Sequence, residues 1–127
     1  MMRIISIPHI PAEKKSGMLK YAENFGGALT HIIVTYEVYD DEIKTEEALM
    51  AASAAIQNLC LAAWEEDLGT VWIAGQVAYA KETRETLGLD ENRKIAGIIP
   101  IGYPAEEPPA PERIDPELVH KVKWLGF

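Results

Sequence analysis

Cysteine is almost missing from this chain: Cys60 stands alone in an apolar segment, with no second thiol for a disulfide or a zinc site. That fits a reducing, cytoplasmic setting and makes Cys60 a core residue. Positive charge is scarce too, with 12 Lys and Arg against 20 Asp and Glu and a formal net charge of -8. Such a surface repels phosphate backbones and anionic lipid, which argues against nucleic acid and membrane as partners. No apolar run is long enough for a membrane span or a secretory leader, since Ile4-Ile5-Ser6-Ile7 stops at Pro8. Familiar catalytic signatures are also lacking. There is no glycine-rich phosphate loop with lysine, no HExxH, no paired CxxC, no serine elbow and no acidic calcium loop. His9, His31 and His120 are too widely spaced to suggest a metal site, so neither a metal nor a catalytic side chain is assigned.

What is present is apolar. A chain of 127 residues with 48% hydrophobic content supplies one core, and 1–127 is taken as a single domain. A short strand is expected at 4–7, and a helix at 14–24 that stops at Gly26-Gly27. A β-branched and aromatic strand follows at 31–36, and Asp40-Asp41 turns the chain. Thr45 is the expected cap of the next helix, with Glu46 and Glu47 in its first turn. From 48 to 64 the residues are apolar on nearly every face, broken mainly by Ser53, Gln57 and Asn58. A helix without a wide polar stripe has to be covered on several sides, so this one is expected to be central or to face a second subunit. Glu65-Glu66-Asp67 reads as its solvated end. A strand at 70–73, a helix at 77–87 closed by Gly88 and a strand at 94–103 complete the pattern. Residues 104–116 are proline-rich and acidic and suit an extended segment, and Trp124, Leu125 and Phe127 give the end of the chain an apolar character that needs a packing partner. There is no internal repeat.

The stretch Leu68-Gly69-Thr70-Val71-Trp72-Ile73-Ala74-Gly75 carries the most information. A strand that ends in Ala74 and Gly75 lets backbone amides come close to a flat ligand, because almost no side chain stands in the way. The same pattern is also ordinary punctuation between a strand and a helix. Arg113 has a similar double reading, as a phosphate ligand or as a surface partner of its acidic neighbours.

Consecutive blocks of the chain resemble the nitroreductase family: Ala54-Ala55-Ile56-Gln57-Asn58-Leu59-Cys60-Leu61-Ala62-Ala63, then Leu68-Gly69-Thr70-Val71-Trp72-Ile73, then Arg84-Glu85-Thr86-Leu87-Gly88-Leu89, then Ile98-Ile99-Pro100-Ile101-Gly102-Tyr103-Pro104-Ala105-Glu106. Val122-Lys123-Trp124 is similar to the family's C-terminal end. The resemblance implies an α+β fold with a mixed, largely antiparallel sheet packed between helices and a long central apolar helix. It also implies FMN as cofactor and a homodimer with the flavins at the subunit interface, where the tail 104–127 packs on the partner. By the same resemblance, NAD(P)H reduces the flavin, and a nitroaromatic, a quinone or a free flavin takes the electrons. Ala74 and Gly75 match the family's ring contacts, Ile73 matches a residue packed against the ring, and Arg113 matches a tail residue that binds the FMN phosphate. The protein's task would be to hold the ring and stabilise charge on it, with no catalytic acid of its own.

Two family features are not found. Members normally open with helices carrying an Arg-x-Ser-x-Arg clamp and an Asn-x-Gln-Pro-Trp-like segment before the first strand, whereas this chain begins at about that strand. Their tails are often doubly or triply basic, and this one reads Pro111-Glu112-Arg113. A shortened family member, or the C-terminal portion of a gene whose start was read too late, is therefore expected, working as a flavin oxidoreductase or, as the alternative, as a flavin-free dimerisation or interaction module.

Overall fold

Ile32, Val34 and Tyr36 alternate with Ile33 across the two faces of a strand, as a period of two requires. This strand, β1, spans Thr30–Glu37 in the computed structural model, which describes residues 27–107, 109, 110, 112 and 121–126. The strand expected at 4–7 and the helix expected at 14–24 lie outside the described residues. Next comes α1, Glu42–Glu65, of 24 residues. It starts earlier than expected because the Asp41 carboxylate accepts from the Ile43 N–H at 2.9 Å and the Lys44 N–H at 3.4 Å, satisfying free amides of the first turn. Thr45, the expected cap, instead lies inside that turn, where its hydroxyl accepts the Tyr39 N–H at 2.9 Å.

Beyond α1 the chain forms β2 (Gly69–Thr70), α2 (Gln76–Tyr79), α3 (Lys81–Thr86) and β3 (Arg93–Gly102). The strand order is β1-β3-β2, and β3 runs antiparallel to both neighbours. Among the described residues the sheet is therefore wholly antiparallel rather than mixed. β3 lies in the middle, with residues 95–100 all buried, which is why its sequence is apolar without alternation.

Pro100 explains why the strand expected at 70–73 is reduced to two residues and a bridge. In a strand the N–H and C=O of one residue point to the same side. Pro100 O accepts from the Val71 N–H at 3.4 Å, but proline has no N–H to return. The ladder resumes only at Ile73, which exchanges both bonds with Ile98, at 3.0 and 2.9 Å.

Helices cover both sides of the sheet. On one face Ile56 of α1 packs with Ala96 and Ile99, joined by Ile32, Val34, Tyr36, Ala52, Leu59 and Cys60. On the other, Ala78 of α2 packs with Ile95 and Ile98, joined by Ile33, Ile73, Val77 and Leu89. The helix expected at 77–87 is broken at Ala80, which is extended (φ -62°, ψ 138°). The Thr83 hydroxyl donates to Val77 O at 2.7 Å and takes the carbonyl that a continuous helix would have offered to residue 81.

Of the two expectations for this helix, central or facing a second subunit, the central one is not met. Only Ile56 and Ala63 of α1 are buried, and Ile43, Met50, Leu61 and Trp64 are exposed. Among the described residues, no element packs on the outer side of α1, which lies on one face of a three-stranded sheet.

A bulge interrupts the β1–β3 pairing. Val34 sits opposite Gly97 and Thr35 opposite Ile95, leaving Ala96 without a partner. Ala96 and Gly97 both face α1 as a result. A Cβ on Gly97 would meet the Trp72 indole first, with Cδ1 at 2.6 Å, and then Ile56 Cδ1 at 3.1 Å. Gly97→Ala is expected to lower unfolding free energy by about 1–3 kcal/mol, as overpacking does elsewhere, and urea denaturation will measure it.

Candidate functional site

The site begins where the chain leaves the sheet. Ile73 has its amide and carbonyl held by Ile98, and its half-buried side chain packs against the α2-side core. Ala74 is exposed. Gly75 then adopts φ 90° and ψ -153°, a region essentially restricted to glycine, and its carbonyl accepts the Tyr79 N–H at 3.1 Å to start α2. A Cβ built on Gly75 would find nothing within 4 Å, so the backbone here faces open space. Among the described residues the N–H groups of Ala74 and Gly75 have no acceptor. Two consecutive peptide donors without an acceptor, beside an uncrowded glycine, form a short shelf.

The structure thus places Ile73, Ala74 and Gly75 as one short run with divided roles: Ile73 anchors it to the sheet, and the next two residues are accessible. Arg113, the residue matched to the phosphate, lies outside the described residues. Lys81 pairs with Glu85 at 3.4 Å on an exposed surface, a pair of little energetic weight. Arg84 donates through Nη2 to Asp90 O and Glu91 O, both at 3.2 Å, and so ties down the turn that feeds β3. Burial pushes the Tyr36 phenol above its ordinary pKa, with Tyr79 adding to the shift. Among the described residues no three His, Cys, Asp or Glu side chains are grouped to hold a metal ion.

Trp72 belongs to the strand end that the family resemblance sets beside the flavin, but its side chain had no role of its own in that expectation. Its indole N–H donates to Ala96 O at 3.1 Å, bridging the strand that leads to the shelf and the bulge in β3. A glycine inside a central strand marks close approach by another group, and Gly97 was the available signal.

Residues 6–103 match the nitroreductase family. The chain belongs to that family. YfhC of Bacillus subtilis strain 168, provisionally named an NAD(P)H nitroreductase, is 33% identical over 108 residues, covering 85% of this chain and 54% of YfhC. The nitroreductase-like family protein of Bacillus cereus superimposes with a TM-score of 0.75 at 28% identity, over 91% of this chain and 62% of that one. An FMN-dependent nitroreductase of Clostridium difficile R20291 shares the fold, with a TM-score of 0.53 at 23% identity over 93% of this chain and 90% of its own. This nitroreductase-family chain therefore spans about half the length of YfhC. Gly75→Ala is expected to cost about 1–3 kcal/mol from backbone strain alone, because the added methyl meets no neighbour. Chemical denaturation beside Ala74→Gly, expected to shift stability by less, will check it.

Proposed function

We propose that this chain acts as an FMN-dependent oxidoreductase of nitroreductase type, taking hydride from NAD(P)H and passing electrons to a nitroaromatic, a quinone or a flavin. The observation that carries this reading is the open shelf at Ala74 and Gly75, with a glycine-only backbone and two amides that the sheet does not use. The fit is chemical as well as steric, since backbone N–H groups favour the electron-rich edge of a ring system on which negative charge develops. Bound FMN would supply reversible hydride chemistry at its flavin ring. The protein's residues would do the holding: Ala74 and Gly75 through their amides, Ile73 by packing, and Arg113 by pairing with the phosphate. Family membership and the provisional name of YfhC support the same reading.

We also propose a homodimer in the cytoplasm, with residues 104–127 packed on the partner. Ile43, Met50, Ala54 and Leu61 fall on one narrow stripe of α1, and all four are exposed. Trp124 and Leu125 are exposed as well. The alanine in the stripe leaves room for a second helix to come close. Light scattering after gel filtration should give twice the chain mass, and Ala54→Glu should shift the protein towards monomer.

Flavin binding is tested by mixing purified protein with FMN, following the quench of flavin fluorescence, and then measuring NADH and NADPH oxidation with a nitroaromatic acceptor. Tight, yellow, turning-over protein supports the oxidoreductase, and a colourless dimer that takes up no FMN supports the flavin-free module. Arg113→Ala should weaken FMN binding by at least about tenfold, the effect of losing one charge-assisted hydrogen bond. Unchanged flavin content in that variant would remove Arg113 from the site.

A further inference from the structure

We infer that Trp72 is a positioning residue for the Ala74–Gly75 shelf: its indole, laid over Gly97 and hydrogen-bonded to the carbonyl of the bulged Ala96, fixes how the shelf peptides leave the sheet. Its consequence for flavin binding rests on the function proposed above, but the backbone effect does not.

The strand leading to the shelf is poorly anchored by its own ladder. β2 has two residues, and the next rung, Val71 N–H to Pro100 O, is a single long bond of 3.4 Å. Only the Ile73–Ile98 pair holds the segment firmly, and one such pair leaves the strand able to twist about it. Trp72 supplies a second point of attachment 24 residues away in sequence, at 3.1 Å, one residue before that pair. The anchor requires two irregularities of β3 together. The bulge leaves Ala96 without a residue opposite it, and Gly97 lacks the side chain that would displace the indole. Beyond the shelf Ala78 is 1% exposed against Ile95 and Ile98 on the other face of the sheet. Ala74 and Gly75 are thus held between an indole on the α1 face and a buried alanine on the opposite face.

Burial alone does not account for Trp72, which remains 42% exposed. An apolar residue of similar shape would cover the same surface without the N–H. The directional bond distinguishes tryptophan here, and it bears on the peptide orientation that the shelf needs.

Trp72→Phe keeps an aromatic ring and removes the donor. In the flavin-free protein, 15N relaxation should show the order parameters of the Ala74 and Gly75 amides falling from about 0.85 towards 0.6, while those of α1 and β1 do not change. FMN affinity should fall about fivefold, as expected for one net hydrogen bond. A purely structural role would lower the melting temperature and leave both the local order parameters and the FMN affinity of the folded protein as they were, and that result would overturn the inference. Should wild-type protein bind no FMN, the proposed function fails, and the relaxation data still decide the positioning role. If Trp72→Phe does not fold, hydrogen exchange of the indole N–H groups in the wild type decides instead. Trp72 should exchange more slowly than Trp64, 54% exposed, and Trp124, 79% exposed. Equal rates would overturn the inference.

Discussion

Burial of β3 on both faces is the constraint from which the rest of this structure follows. A middle strand in a three-stranded sheet needs apolar cover on each side, and residues 95–100 receive it from α1 on one face and α2 on the other. Both hydrophobic clusters are built on this strand. Its defects matter as much as its burial. The unpaired Ala96 turns two successive residues towards α1, Gly97 admits the indole, and Pro100 withholds a donor from the strand beside it. Each defect alters the segment from Val71 to Gly75, so the geometry of the shelf is set largely by a strand far from it in sequence.

The core formed by the described residues is small. Among the described residues the buried apolar side chains are Ile56, Ala63, Ala78, Ile95, Ala96, Ile98 and Ile99, while large apolar residues of α1 and of the C-terminal segment are exposed. Among the described residues nothing covers the outer side of α1 or the apolar residues 124 and 125, which is the surface that the proposed assembly would use.

Several elements were legible in the residues themselves. The β-branched run at 31–36 and the apolar run at 94–103 form strands close to their expected limits, because alternation in one and continuous apolarity in the other reflect half and full burial. Gly75 was legible as punctuation between strand and helix, and it does occupy a conformation that other residues avoid. The start of α1 was misread because Asp41 and Thr45 are both good caps, and sequence does not say which one meets the first free amides. The break at Ala80 depends on a hydroxyl from Thr83 folding back to Val77, a contact that helical periodicity does not contain.

Sequence by itself determined the class of the protein: apolar strands and helices in a fixed order, an acidic surface, a small-residue strand end and the family to which they belong. These properties reside in local composition and pattern, which survive without knowledge of what packs on what. Tertiary structure decided which strand lies in the middle, that Pro100 would thin the ladder next to the shelf, and that Trp72 would reach across to Ala96. Those outcomes depend on residues far apart in the chain meeting at one place, and no local window of sequence carries that information.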